Sequence, residues 1–135
     1  MDLSNLKPGR VGRASLVVGD EHTAPRVGSG RVGVLATPVM INLFEAAALA
    51  CAEDLLPEGH QSLGIHLDVR HIAATPVGMA VHATAELIAV EGRNLTFRVE
   101  ARDEREVIGD GTHARVVVNV GRFVARVQRK TAGEP

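Results

Sequence analysis

Polar and apolar positions along the chain follow two different periods. Between Thr37 and Asp54 the apolar residues recur at helical spacing. Met40, Ile41, Phe44, Ala47, Ala48, Cys51 and Leu55 share one face of a wheel, and Glu53 points the opposite way. Thr37-Pro38 supplies a start signal, because a threonine hydroxyl caps free amides and proline at the first helical position loses no hydrogen bond. Pro57-Glu-Gly59 supplies the stop. Five alanines between positions 46 and 52 allow other backbone to come close.

Beyond Gly59 the period changes to two. From Leu63 to His71 the odd positions are apolar, apart from His71 itself, and the even ones are polar or glycine, the pattern of a half-buried strand. Val81, Ala83, Ala85 and Leu87 alternate with His82, Thr84 and Glu86 in the next run. A turn within Val90–Leu95 leads to Leu95, Phe97, Val99 and Ala101, and Asp103–Glu106 leads to a last strand through Val116–Val120. Short turns between adjacent strands imply an antiparallel meander. Upstream, Ala14–Gly19 leans towards a strand, and His22–Gly33 reads as a loop rich in Gly, Pro and Ser. One helix, several long antiparallel strands and no βαβ alternation predict a single α+β domain over residues 1–135, its helix packed on one curled sheet. An N-terminal arm, 1–13, and a C-terminal tail, 128–135, are expected to be mobile.

Composition narrows the function. The 135 residues carry a net charge of −1 with both signs mixed, and there is no Trp or Tyr. That removes the basic footprint and the stacking platforms of a nucleic-acid binder. A single cysteine, Cys51, cannot staple the domain and points to a reducing compartment. No stretch has membrane-spanning length, and the N-terminus lacks a basic region followed by an apolar one. The chain therefore reads as soluble and cytoplasmic.

Within this frame Glu45 stands out as a carboxylate at the edge of the helix's apolar stripe, where an ionised group needs a partner. His71 continues the odd-numbered face of its strand, so parity aims its ring at the side Glu45 can approach. A core-edge histidine satisfied by a carbonyl is the plainer reading of parity alone. A carboxylate beside the imidazole would instead make a tuned acid–base pair. Thr37 is explained by helix capping. Gly64 fits either a bulge or a close approach of ligand to backbone. His66 and His71 lie on opposite faces of one strand, His82 and His113 fall on polar positions, and no pair has zinc spacing, so no metal site is expected. Gly109-Asp-Gly111 is not a phosphate loop, and no serine sits in a nucleophile elbow. Arg122, Arg126, Arg129 and Lys130 form a basic run that reads as a solvated face able to meet phosphates.

Thr37, Glu45 and His71 occur with Ser62-Leu-Gly64, His71-Ile-Ala-Ala-Thr-Pro76, Val90-Glu-Gly-Arg93 and Ile108-Gly-Asp-Gly-Thr-His113. In that order these motifs resemble the fluoroacetyl-CoA thioesterase family of hotdog-fold acyl-CoA thioesterases, over about residues 34 to 130. The resemblance implies a curved antiparallel sheet wrapped around a central helix, assembled as a homodimer with active sites at the subunit interface, with a tetramer also open. It implies a catalytic group of Thr37, Glu45 and His71, acting on an acyl-CoA without a further cofactor. Glu45 would attack the carbonyl or activate water, both routes being open. Gly64 matches a family glycine near the reacting carbonyl, and Arg122 and Arg126 become candidate substrate contacts. Two departures matter. Family members specific for fluoroacetyl-CoA carry phenylalanines in a lid before the threonine, whereas this chain has Arg26–Gly33 without an aromatic, so a different acyl group is expected. Pro38 replaces a family glycine and supplies no amide. A hotdog enoyl-thioester hydratase or dehydratase, and a non-catalytic acyl-CoA-binding module, are the competing readings.

Overall fold

The computed structural model describes residues 1–133. Its elements are β1 (Val11–Val17), a short helical turn α1 (Ala24–Val27), the long helix α2 (Thr37–Ala52), β2 (His60–His71), β3 (Ala80–Glu91), β4 (Asn94–Arg102), β5 (Val107–Asn119) and α3 (Val120–Thr131). The strands form one antiparallel sheet in the order β1-β3-β4-β5-β2. The β3–β4–β5 meander matches the two-residue period read from the sequence. β2 crosses to pair with β5 and so becomes an edge.

α2 lies on the concave face, chiefly over β1 and β3. Met40, Leu43, Phe44, Ala47, Ala48, Cys51 and Ala52 are its buried residues. They meet the inward sets Val81, Ala83, Ala85, Leu87 and Leu95, Phe97, Val99, Ala101. Leu43 and Ala52 thus join the buried face in place of Ile41, because the sheet wraps the helix more widely than one stripe. Alanines permit the closest approach: a Cβ on Gly12 of β1 would lie 2.2 Å from the Ala47 carbonyl oxygen and 2.4 Å from the Cys51 nitrogen.

Three local expectations change. β1 begins at Val11, and the segment before it is anchored rather than a free arm, with Leu6 buried and the Gly9 amide donating to the Leu87 carbonyl at 2.8 Å. Residues 128–131 are helical, and the last two residues of the expected tail lie outside the described residues. The cap of α2 is Ala36, without a side-chain bond, and Thr37 is the first helical residue. Its hydroxyl is therefore released from the capping role that the sequence suggested.

β2 also departs from uniform parity. Its pairing with β5 shifts register between Gly64 and His66, a bulge at Ile65. Before the bulge the even positions face the helix: Ser62 is buried, and a Cβ on Gly64 would meet Glu45. After it Leu67, Val69 and His71 pair with His113, Gly111 and Gly109, whose positions face inward. Odd parity therefore holds for His71 and fails for Leu63. Leu63, Ile65 and Leu67 remain 37%, 55% and 40% exposed along this edge.

Candidate active site

Thr37 opens α2 and His71 closes β2, and the two meet. Thr37 Oγ1 lies 2.8 Å from His71 Nδ1. His71 Nε2 is buried without a hydrogen-bond partner among the described residues. A buried polar atom left unpartnered is rare in a folded protein. Burial lowers the His71 pKa below its ordinary value, with partial opposition from the Ala73 backbone, so the ring is neutral at neutral pH. The pair borders an open cleft of about 370 Å³, whose other walls include Gly30, Arg31 and Val32. The loop that lacks phenylalanines thus stands at the mouth of the cleft containing Thr37 and His71.

Glu45 stands two helical turns further on. Eight residues at ~1.5 Å rise place it about 12 Å along the axis from Thr37. Its carboxylate meets Arg115, with Nη1 3.4 Å from Oε2. No contact among the described residues joins it to His71, so the pairing inferred from parity is not made within one chain. Gly64 lies directly opposite: a Cβ there would be 2.6 Å from Glu45 Oε2 and 3.2 Å from His113 Cε1. Of the six expected site residues, Glu45 and Gly64 therefore share one locus, and Thr37 and His71 share another. Arg122 and Arg126 are exposed, one turn apart on α3.

Two residues of this site escaped the sequence reading. Arg115 is only 5% exposed, and His113, read as a polar-face residue, is fully buried and stacked on Phe97 at 6.3 Å between ring centroids. Both occupy odd positions of β5 that face the helix. His113 Nδ1 lies 2.9 Å from the His66 carbonyl oxygen and must donate to it. In the neutral ring Nε2 is then an acceptor, and Arg115 Nη1 stands 3.2 Å away to donate. Burial lowers the His113 pKa and Arg115 adds to it, against the His66 carbonyl and Glu45. The available signal was parity: counting back from Val117 puts Arg115 and His113 on the core side.

A family model described as fluoroacetyl-CoA-specific thioesterase matches residues 18–121. The chain belongs to this family. A curated relative, the fluoroacetyl-CoA thioesterase of Streptantibioticus cattleyicolor, is 46% identical over 98 residues, spanning 73% of this chain and 70% of the relative. Among solved structures, the fluoroacetyl-CoA thioesterase FlK superposes with a TM-score of 0.84 at 38% identity, covering 92% of this chain and 96% of that one. A thioesterase superfamily member from Thermus thermophilus gives 0.87 at 29% identity, with 94% of each chain covered. A hot-dog-like protein from Thermanaerovibrio acidaminovorans gives 0.88 at 24% identity over 96% and 97% of the two chains, a likeness of fold alone. The α+β hotdog architecture expected from the motifs is the one found. Among the described residues no helix is long and apolar enough to cross a membrane, and no cluster of three or more His, Cys, Asp or Glu is placed to hold a metal.

Proposed function

We propose that this chain hydrolyses a small acyl-CoA thioester with Thr37, Glu45 and His71 as its catalytic group. That it is a thioester hydrolase follows from the family to which it belongs. The observation that carries the residue assignment is the Thr37–His71 hydrogen bond, which leaves a buried, unpartnered His71 Nε2 beside an open cleft. A neutral imidazole serves as acid–base partner, and the threonine hydroxyl orients it. Glu45 either adds to the thioester carbonyl, expelling CoA and leaving an acyl anhydride that water then hydrolyses, or draws a proton from a water that attacks the carbonyl directly. In both routes the C–S bond breaks and the departing sulfur takes up a proton to leave as the thiol. Gly64, against Glu45, is the proposed backbone donor to the oxyanion, an effect worth ~3–4 kcal/mol for one well-placed amide. Pro38 has no amide to offer in that role. No cofactor is needed, since coenzyme A enters with the substrate. Arg122 and Arg126 are proposed contacts for its phosphates, and the free thiol of Cys51 suits the cytoplasm.

Separation of the Thr37–His71 pair from Glu45 supports a homodimer as the working unit. Antiparallel pairing of two β2 edges through the bulged Ile65 region would cover Leu63, Ile65 and Leu67 and bring His71 of one protomer towards Gly64 and Glu45 of the other. The loop at Arg26–Gly33 presents arginines and glycines where fluoroacetyl-specific relatives close an aromatic lid. The proposed substrate is accordingly a small acyl group other than fluoroacetyl.

Glu45→Ala should nearly abolish thiol release from acyl-CoA while leaving the fold intact by circular dichroism. Unchanged turnover in that variant would sink the mechanism. A panel of acyl-CoA esters including fluoroacetyl-CoA, assayed for free thiol, identifies the acyl group and separates hydrolysis from enoyl hydration, which releases no thiol.

A further inference from the structure

A chain of polar contacts, buried at its centre around Arg115, runs from the C-terminal end of α2 back to Glu45. Glu53, just past that end, accepts two hydrogen bonds from Ser62: the amide at 2.8 Å to Oε2 and the hydroxyl at 2.6 Å to Oε1. Donation of the hydroxyl proton to Glu53 leaves the Ser62 Oγ lone pairs free, and Arg115 Nε donates to Oγ at 2.7 Å. Arg115 Nη2 donates to the Ser62 carbonyl at 3.0 Å. Two of the three guanidinium nitrogens are thereby fixed on one serine, which sets the plane of the group. The third, Nη1, carries two protons. One faces His113 Nε2 at 3.2 Å and the other faces Glu45 Oε2 at 3.4 Å.

Every donor in this chain has a compatible acceptor, and the direction of each bond follows from the one before it. The final contact is the longest. At 3.4 Å Arg115 does not grip Glu45 by itself, so the orientation of the guanidinium decides whether that proton points at the carboxylate. An arginine side chain has four rotatable bonds, and burial alone does not select one rotamer. Ser62, held in turn by Glu53, selects it.

We propose that Ser62 and Glu53 are positioning residues for the thioesterase reaction, acting through Arg115 to hold the Glu45 carboxylate in its reactive orientation. This rests on the assignment of Glu45 proposed above. Neither residue touches substrate. Their effect falls on kcat, because an ill-aimed carboxylate binds the acyl-CoA as before but is seldom in attack geometry. A merely structural role would lower the melting temperature and leave turnover of the folded fraction alone.

The test compares Ser62→Ala, Ser62→Thr, Glu53→Ala, Glu53→Gln and Glu45→Gln by thiol release, well below the melting temperature of each variant. Ser62→Ala and Glu53→Ala should each lower kcat about tenfold with KM within about twofold of the parent. Ser62→Thr restores the hydroxyl, and Glu53→Gln restores one acceptor, so both should recover most of that loss. In the Glu45→Gln background, Ser62→Ala should cost nothing further, since its effect passes through Glu45. Parental kcat in both alanine variants, with Glu45→Gln reduced to residual turnover, overturns the proposal alone. Full activity in Glu45→Gln instead overturns the assignment of Glu45. Should Ser62→Ala fail to fold, Glu53→Ala reads the same link from its less buried end.

Discussion

At the scale of single residues, the site depends on what small side chains leave room for. Gly64 is the clearest case, since an added methyl group would stand 2.6 Å from Glu45 Oε2. The obstructing atom ends a flexible side chain, so the fold can yield while the carboxylate swings away. Gly64→Ala should therefore keep its melting temperature within a few degrees and lose at least tenfold in thiol release. Parental turnover would show that Glu45 need not sit where it does. Histidine titration gives a second expectation. His71 and His113 both have pKa values lowered from 6.5, chiefly by burial. In the unfolded chain they take up protons near pH 6.5, which the folded chain refuses until lower pH. Stability should thus fall as pH drops through 6.5 towards the lower folded values. The lowered carboxyls Asp103 and Asp110 add their own losses only in the acid range below the usual carboxylate value. Urea midpoints measured from pH 7.5 to 5.5 should decline, and a flat or rising series contradicts the assignment.

Among the elements, α2 and β1 are bound by a very close backbone approach. Gly12 faces Ala47 and Cys51 across a gap with no room for a methyl group, and backbone atoms on a helix cannot move aside alone. Gly12→Ala should destabilise the fold by about 1–3 kcal/mol or more, seen as a lower urea midpoint with unchanged m value. An unaltered midpoint would mean that β1 can lift from the helix freely. The bulge in β2 works in the other direction. By adding one residue against β5 it puts Ser62 and Gly64 on the same side of the sheet as Leu67 and His71, which no regular strand could do. Both halves of the site face inward because of that one extra residue.

For the molecule as a whole, the proposed dimer makes a prediction that a self-contained site does not. Glu45→Ala and His71→Ala should each be inactive as pure homodimers. If one protomer's His71 works with the other's Glu45, a mixed dimer has one intact site and one doubly defective site. Random exchange in an equal mixture, giving half heterodimers, should recover about a quarter of parental activity. No recovery after denaturation and joint refolding places the whole site in one chain. Ile65→Lys, at the exposed centre of the β2 edge, should shift the protein to monomer in sedimentation and lower turnover with it.

The division between sequence and tertiary structure follows the range of the interactions involved. Alternation in β3, β4 and β5, the helical stripe from Met40 to Cys51 and the motifs around Thr37, Glu45 and His71 were legible because each is a local pattern imposed by burial on one face. They were enough for the hotdog architecture and for the family. Local propensity misled at Thr37, a good cap whose hydroxyl turns to His71, because the tertiary partner is a better use of it than an amide that Ala36 leaves uncapped. Parity misled at Leu63, because a bulge shows only in the pairing of two strands. Above all, the sequence offered His71 as the partner of Glu45, and within one chain the fold sets Arg115 beside that carboxylate. Which side chains meet across a sheet depends on register and on the crossing of the helix, and those are set by packing the whole core at once.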